Sequence, residues 1–119
     1  MALFKFNERE KEKIILKITS NNKRSIEKYL DRFAVFSVKH KFKKINLFRQ
    51  LILANNIKIS KFPRGKIRVV CSENDRLVDF ISSKKIAAKF NGELYIHPTA
   101  GHDLPLDDPD WLANLIASF

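Results

Sequence analysis

The 119-residue chain is 45% hydrophobic and 30% charged, the composition of one modest globular domain with no room for a second independent core. Its apolar runs, such as Ile14-Ile15-Leu16 and Phe33-Ala34-Val35-Phe36, fall far short of the roughly 20 residues that span a bilayer. Residues 1–6 lead directly into the charged stretch 7–13 without the apolar core of a secretory signal, so a cytoplasmic chain with no membrane partner is expected.

The net charge of +10 is uneven: residues 1–66 hold 18 Lys/Arg against 5 Asp/Glu, and residues 67–119 hold 5 against 8. The basic half begins with helices. Asn7 followed by Glu10 has the spacing of a capped N-terminus, with Ile14, Ile15 and Ile18 as the expected apolar face and Thr19-Ser20-Asn21-Asn22 as the stop. A second helix over about 23–38 places Ile26, Tyr29, Leu30 and Phe33 at i, i+3, i+4 and i+7. After a basic turn, a third is predicted over about 46–54, burying Leu47, Phe48, Leu51 and Ile52. These three helices form a region over 1–62 within a single domain, joined by the short connection at 60–66 to residues 63–119.

From Pro63 the pattern becomes strand, helix, strand, helix. Residues 67–71 read as a β-branched strand and residues 72–76 as a polar loop. An amphipathic helix over about 82–90 stops at Asn91-Gly92. A second strand follows over 93–98, then a loop over 99–107, then a helix with Asp108 at the N-cap and Pro109 at the first helical position. The fold class is therefore α/β: helices, then a βαβα unit with two parallel strands. Strands joined through a helix lie parallel, which brings both following loops to one sheet edge, where open parallel sheets place their sites.

Those loops carry Asp75 and His102. A carboxylate that accepts a hydrogen bond from an imidazole fixes its tautomer and stabilises the imidazolium formed when the histidine takes a proton. Read from spacing alone, Asp75 is more simply a turn residue after Asn74 and His102 a loop histidine after Gly101. The lone Cys71 offers neither a disulfide nor a metal site and reads as a buried strand residue; no metal and no cofactor is expected.

The wording around these residues carries more than their spacing. Val69-Val70-Cys71-Ser72-Glu73-Asn74-Asp75-Arg76-Leu77-Val78 resembles the acid-bearing strand end of α/β-hydrolases, with its D-x-x-V pattern. Pro98-Thr99-Ala100-Gly101-His102-Asp103-Leu104-Pro105-Leu106-Asp107-Asp108-Pro109-Asp110-Trp111 is similar to the histidine loop and final helix of bacterial members. The resemblance covers residues 65–119, and 7–54 is similar to the helical insert that such enzymes place before the acid strand. It implies a partial α/β-hydrolase fold in which Asp75 orients the imidazole of His102, the general base, with Asp79 as rival acid. Gly101 would permit the tight backbone at the histidine. Asp103, Asp107, Asp108 and Asp110 read as loop and helix-start acids, His97 as structural or exposed, and Trp111 as packing the last helix on the sheet.

The family's nucleophile sits in a G-x-S-x-G elbow. The only glycines here are Gly65, Gly92 and Gly101, none two positions from a serine. Ser72, in the acid loop, lacks that strained turn. The expectation is a hydrolase-like C-terminal portion that catalyses little alone, or one half of a split ester- or amide-cleaving enzyme, acting on a small molecule only when complemented. Its partners would be a second copy or a separately encoded N-terminal half. The alternative is a non-catalytic basic protein binding an acidic partner or nucleic acid; sixteen lysines against seven arginines speak for solvated helix faces over phosphate recognition.

Overall fold

The structure is a computed structural model describing residues 7–40, 45–46, 49–50, 52–53 and 64–119. Of the helix expected over 46–54, Leu47, Phe48, Leu51 and Ala54 lie outside the described residues, as do residues 60–63 of the connection. Helix α1 runs Glu8–Thr19, and the Asn7 side chain accepts a hydrogen bond from the Glu10 amide as its spacing predicts. Helix α2 runs Lys23–Lys39, its first turn held by the Asn22 side chain, which accepts from the Ser25 amide.

The two helices pack along a seam that differs from the predicted face of α1. Leu16 is the buried residue of that helix, while Ile14, Ile15 and Ile18 stay about half exposed. The inward stripe runs through Glu12, Leu16 and Ser20 at intervals of four, and Glu12 accepts a hydrogen bond from the Ser37 hydroxyl of α2 at 2.6 Å. The isoleucines lie off that stripe, so no described element covers them. On α2, Ile26 and Leu30 are buried as expected and form a cluster with Leu16 against which Leu106 packs, whereas Phe33 is exposed.

The second region is a βαβ unit followed by two helices. Strand β1 spans Arg68–Ser72, helix α3 Ile81–Lys89 and strand β2 Glu93–His97. Strand β1 is shifted by one residue from the apolar run, because Ile67 contributes only its carbonyl, which accepts from the Glu93 amide at 2.9 Å. The strands are parallel, with Val69 opposite Leu94, Val70 opposite Tyr95 and Ser72 opposite His97. Arg68 and Glu93 close the near end with an ion pair at 3.1 Å. Helix α3 ends at Asn91 with φ of +50°, the left-handed conformation that asparagine tolerates, and the Gly92 amide then donates to the Ala87 carbonyl at 2.8 Å.

The loop expected over 99–107 contains a one-turn helix α4, Leu104–Asp107, and helix α5 follows at Pro109–Ala117. The Asp108 side chain accepts from the Trp111 amide at 3.0 Å, which is the predicted cap. Trp111 meets His97 edge-on, ring centroids 4.8 Å apart, and so holds α5 against the sheet. Among the described residues no helix is long and apolar enough to cross a membrane.

Candidate functional site

Because β1 and β2 run parallel, the chain leaves both strands at the same edge, and the two following loops meet there. The expected approach of Asp75 to His102 is observed: Asp75 Oδ2 lies 2.8 Å from His102 Nδ1. The other carboxylate oxygen, Oδ1, accepts from the amides of Leu77 at 2.8 Å and Val78 at 3.0 Å. The carboxylate is thus clamped by its own loop before it meets the ring.

Partial burial pushes the Asp75 carboxyl up, but the Val78 amide, the His102 ring and the Leu77 amide outweigh it and hold it below the usual carboxylate range. An ionised Asp75 requires the hydrogen on Nδ1, which leaves Nε2 of neutral His102 as a proton acceptor. The His102 side chain is 43% exposed against 13% for Asp75, so the ring faces outward over a sheltered acid. Asp79 takes no part: its Oδ1 accepts from the Ile81 amide at 2.9 Å, at the start of α3.

Two asparagine side chains hold the acid and histidine loops together. Asn74 donates through Nδ2 to the Pro98 carbonyl at 3.0 Å. Asn21, from the turn between α1 and α2, donates through Nδ2 to the carbonyls of both Asn74 and Thr99, each at 3.1 Å. Arg76 reaches the same turn, donating to the carbonyls of Lys17 at 2.6 Å and Ser20 at 2.9 Å, where its cation also complements the negative end of α1.

The centre of this junction is Asp107, which local pattern placed among ordinary loop acids. Its carboxylate accepts from the Ser20 hydroxyl and from the amides of Asn21 at 2.8 Å, Asn22 at 3.2 Å and Gly101 at 2.6 Å. Burial raises its carboxyl, and the Ser20 hydroxyl together with the Asn21, Gly101 and Asn22 amides more than reverses this. Gly101 is required here by space: a Cβ would stand 2.6 Å from the Thr19 carbonyl oxygen. The tight geometry expected at Gly101 is therefore a close approach between the histidine loop and the helical turn, with no positive φ involved.

His97 is buried and structural. Its Nδ1 accepts from the Ala100 amide at 2.9 Å and the Thr99 amide at 3.2 Å, which assigns the hydrogen to Nε2, 3.2 Å from Asp108 Oδ2. Ser72 is the last residue of β1 and not a loop residue; it is 3% exposed and its Oγ has no hydrogen-bond partner in the described structure. Such a hydroxyl is out of reach of a substrate. Cys71 is half-buried, and burial pushes its thiol up.

A shallow depression of about 560 Å³, lined by Asn21, Glu73, Asn74, Asp75, Arg76 and Thr99, opens beside the pair. Among the described residues no group of His, Cys, Asp or Glu has the geometry of a metal site. No family model, curated protein or solved structure matches this chain.

Proposed function

We propose that this chain is the acid- and histidine-bearing part of an α/β-hydrolase-type enzyme for ester or amide bonds, in which Asp75 orients His102 and His102 Nε2 is the general base. The observation that carries the reading is the 2.8 Å contact between Asp75 Oδ2 and His102 Nδ1, made across two loops at the carboxyl ends of adjacent parallel strands. A sheltered, ionised acid behind a half-exposed imidazole is the arrangement that draws a proton from a hydroxyl nucleophile and returns it to a leaving group.

These 119 residues contain no G-x-S-x-G stretch, and Ser72 is sealed inside the fold. Loss of a triad serine lowers turnover by about a million-fold. The chain by itself is accordingly inactive, and the pair works when another polypeptide, or another part of a longer one, brings the nucleophile and oxyanion donors. Two features favour such a partner. The sheet has two strands, so β1 offers a free edge among the described residues. Ile14, Ile15 and Ile18 stand exposed on α1.

The test combines chemistry with association. The purified chain is expected to leave activated small esters unhydrolysed, to resist fluorophosphonate labelling and to scatter light as a species larger than 13.9 kDa. Stoichiometric labelling of any serine overturns the claim of inactivity. A monomer with sharp cooperative unfolding overturns the claim that further protein covers the edge. Codons for a G-x-S-x-G stretch preceding the chain, in frame or across one frameshift, support the enzyme reading; their absence from neighbouring DNA, together with failure of any complementing half to restore turnover, removes it.

A further inference from the structure

Helix α2 has two decorated faces, and the seam with α1 uses only one of them. Ser25, Lys28, Tyr29, Arg32, Phe33 and Phe36 recur at i, i+3, i+4, i+7, i+8 and i+11, a single stripe along the helix. Buried Ile26, Leu30 and Ala34 form the adjoining stripe, which faces α1. The stripe forms one wall of a groove of about 530 Å³, within the range of small-molecule sites. Opposite it stand Pro105, Leu106 and Pro109, from α4 and the start of α5. Leu106 packs on the Leu16, Ile26 and Leu30 cluster behind it, and the two prolines stiffen the backbone, so this wall is preformed.

The polar groups of the groove are of one sign. Its lining includes Lys28 and Arg32 and no acid. Neither cation has a carboxylate partner among the described residues; Lys28 Nζ lies 5.0 Å from the centroid of the Tyr29 ring. Like charges four residues apart on a helix disfavour each other, and an anion seated between them removes that repulsion. Three aromatic rings beside two unneutralised cations form a surface complementary to a flat apolar body carrying one negative group.

We propose that this groove binds a small aromatic carboxylate, its ring among Tyr29, Phe33 and Phe36 and its carboxylate between Lys28 and Arg32. The Arg32 guanidinium can meet a carboxylate with two parallel hydrogen bonds, which a neutral oxygen substituent cannot accept as well. The groove shares no lining residue with the depression beside Asp75, so the proposal stands independently of the hydrolase reading.

Titration calorimetry of the full chain with 2-naphthoate, with 2-naphthalenemethanol as the neutral analogue, tests it. Saturable one-site binding of naphthoate is expected, about tenfold tighter than the alcohol, with a similar loss in Arg32→Gln and loss of both ligands in Phe33→Ala. Both side chains are exposed, and unchanged helical circular dichroism confirms that the variants remain folded. Absence of naphthoate binding to the parent chain overturns the proposal. So does equal affinity for the alcohol, or unchanged affinity in Arg32→Gln, either of which would leave an unselective apolar surface.

Discussion

The helical pair and the βαβ unit are held internally by different forces from those that join them. Within the pair, Leu16, Ile26 and Leu30 form a small apolar seam, and in the second region Ala87, Phe90, Ala100 and Leu104 are buried. Apart from Leu106, which packs on that seam, the joint between the regions is made by polar groups. Asp107 gathers the turn at Ser20, Asn21 and Asn22 together with Gly101, while Asn21 and Arg76 span the remaining gap. Apolar contact tolerates sliding, whereas charge-assisted hydrogen bonds fix distance and direction. A site whose acid and base sit on separate loops needs that second property, and the polar joint lies directly behind it.

This contrast predicts that the junction is the more fragile of the two. Asp107→Ala removes a carboxylate that accepts four hydrogen bonds and leaves the buried Ser20 hydroxyl without that partner, a loss of about 4 kcal/mol in urea unfolding. The linkage has a definite sign. Because the folded-state carboxyls of Asp107 and Asp75 lie below their ordinary value, their contribution is complete above the unfolded value of about 3.9 and is lost as pH falls through the lowered folded value. Asp107→Asn should therefore show a flatter stability profile below about pH 5 than the parent chain. An equally steep profile would assign the acid sensitivity elsewhere.

Leu30→Ala tests the other side of the comparison. Leu30 is buried, but its cluster is small and lies next to the open groove, so the site can collapse around the gap. A loss of about 2 kcal/mol, near the low end for such truncations, is expected by the same unfolding measurement. A cost above that of Asp107→Ala would reverse the ranking of seam and junction.

The smallest effect concerns the pair itself. His102→Ala should move the Asp75 carboxyl upward in a carbon NMR titration, yet leave it below its ordinary value, because the Val78 and Leu77 amides still donate to Oδ1. Full return to the ordinary value would show that the ring, and not the loop, holds the carboxylate ionised.

Residues whose role depends on near neighbours were legible from the amino-acid order. Asn7 and Asp108 cap their helices as their spacing demands, Asn91-Gly92 ends α3, and the strand–helix–strand order is enough to bring Asp75 and His102 to one edge. Each of these depends on backbone periodicity within about a dozen residues or on the parallel crossover rule. What was misplaced depends on long-range partners. Ile14, Ile15 and Ile18 satisfy a helical apolar pattern, but which stripe of α1 turns inward is decided by where α2 lies. Ser72 belongs to the strand because His97 pairs opposite it.

Asp107 marks the boundary between the two kinds of information most clearly. In the sequence it is one acid among Asp103, Asp107, Asp108 and Asp110; the capping rule picks out Asp108, and no local rule sets Asp107 apart. Its partners Ser20, Asn21 and Asn22 lie more than 80 positions away. The consecutive polar residues after α1, with no glycine among them, were a signal only that the helix ends. The sequence alone determined helix caps, strand order and the edge where a carboxylate and an imidazole meet, since these follow from local hydrogen bonding and chain connectivity. Tertiary structure decided which acid became structural, why Gly101 admits no Cβ, and which faces of α1 and α2 stayed open, because those depend on packing between segments distant in the chain.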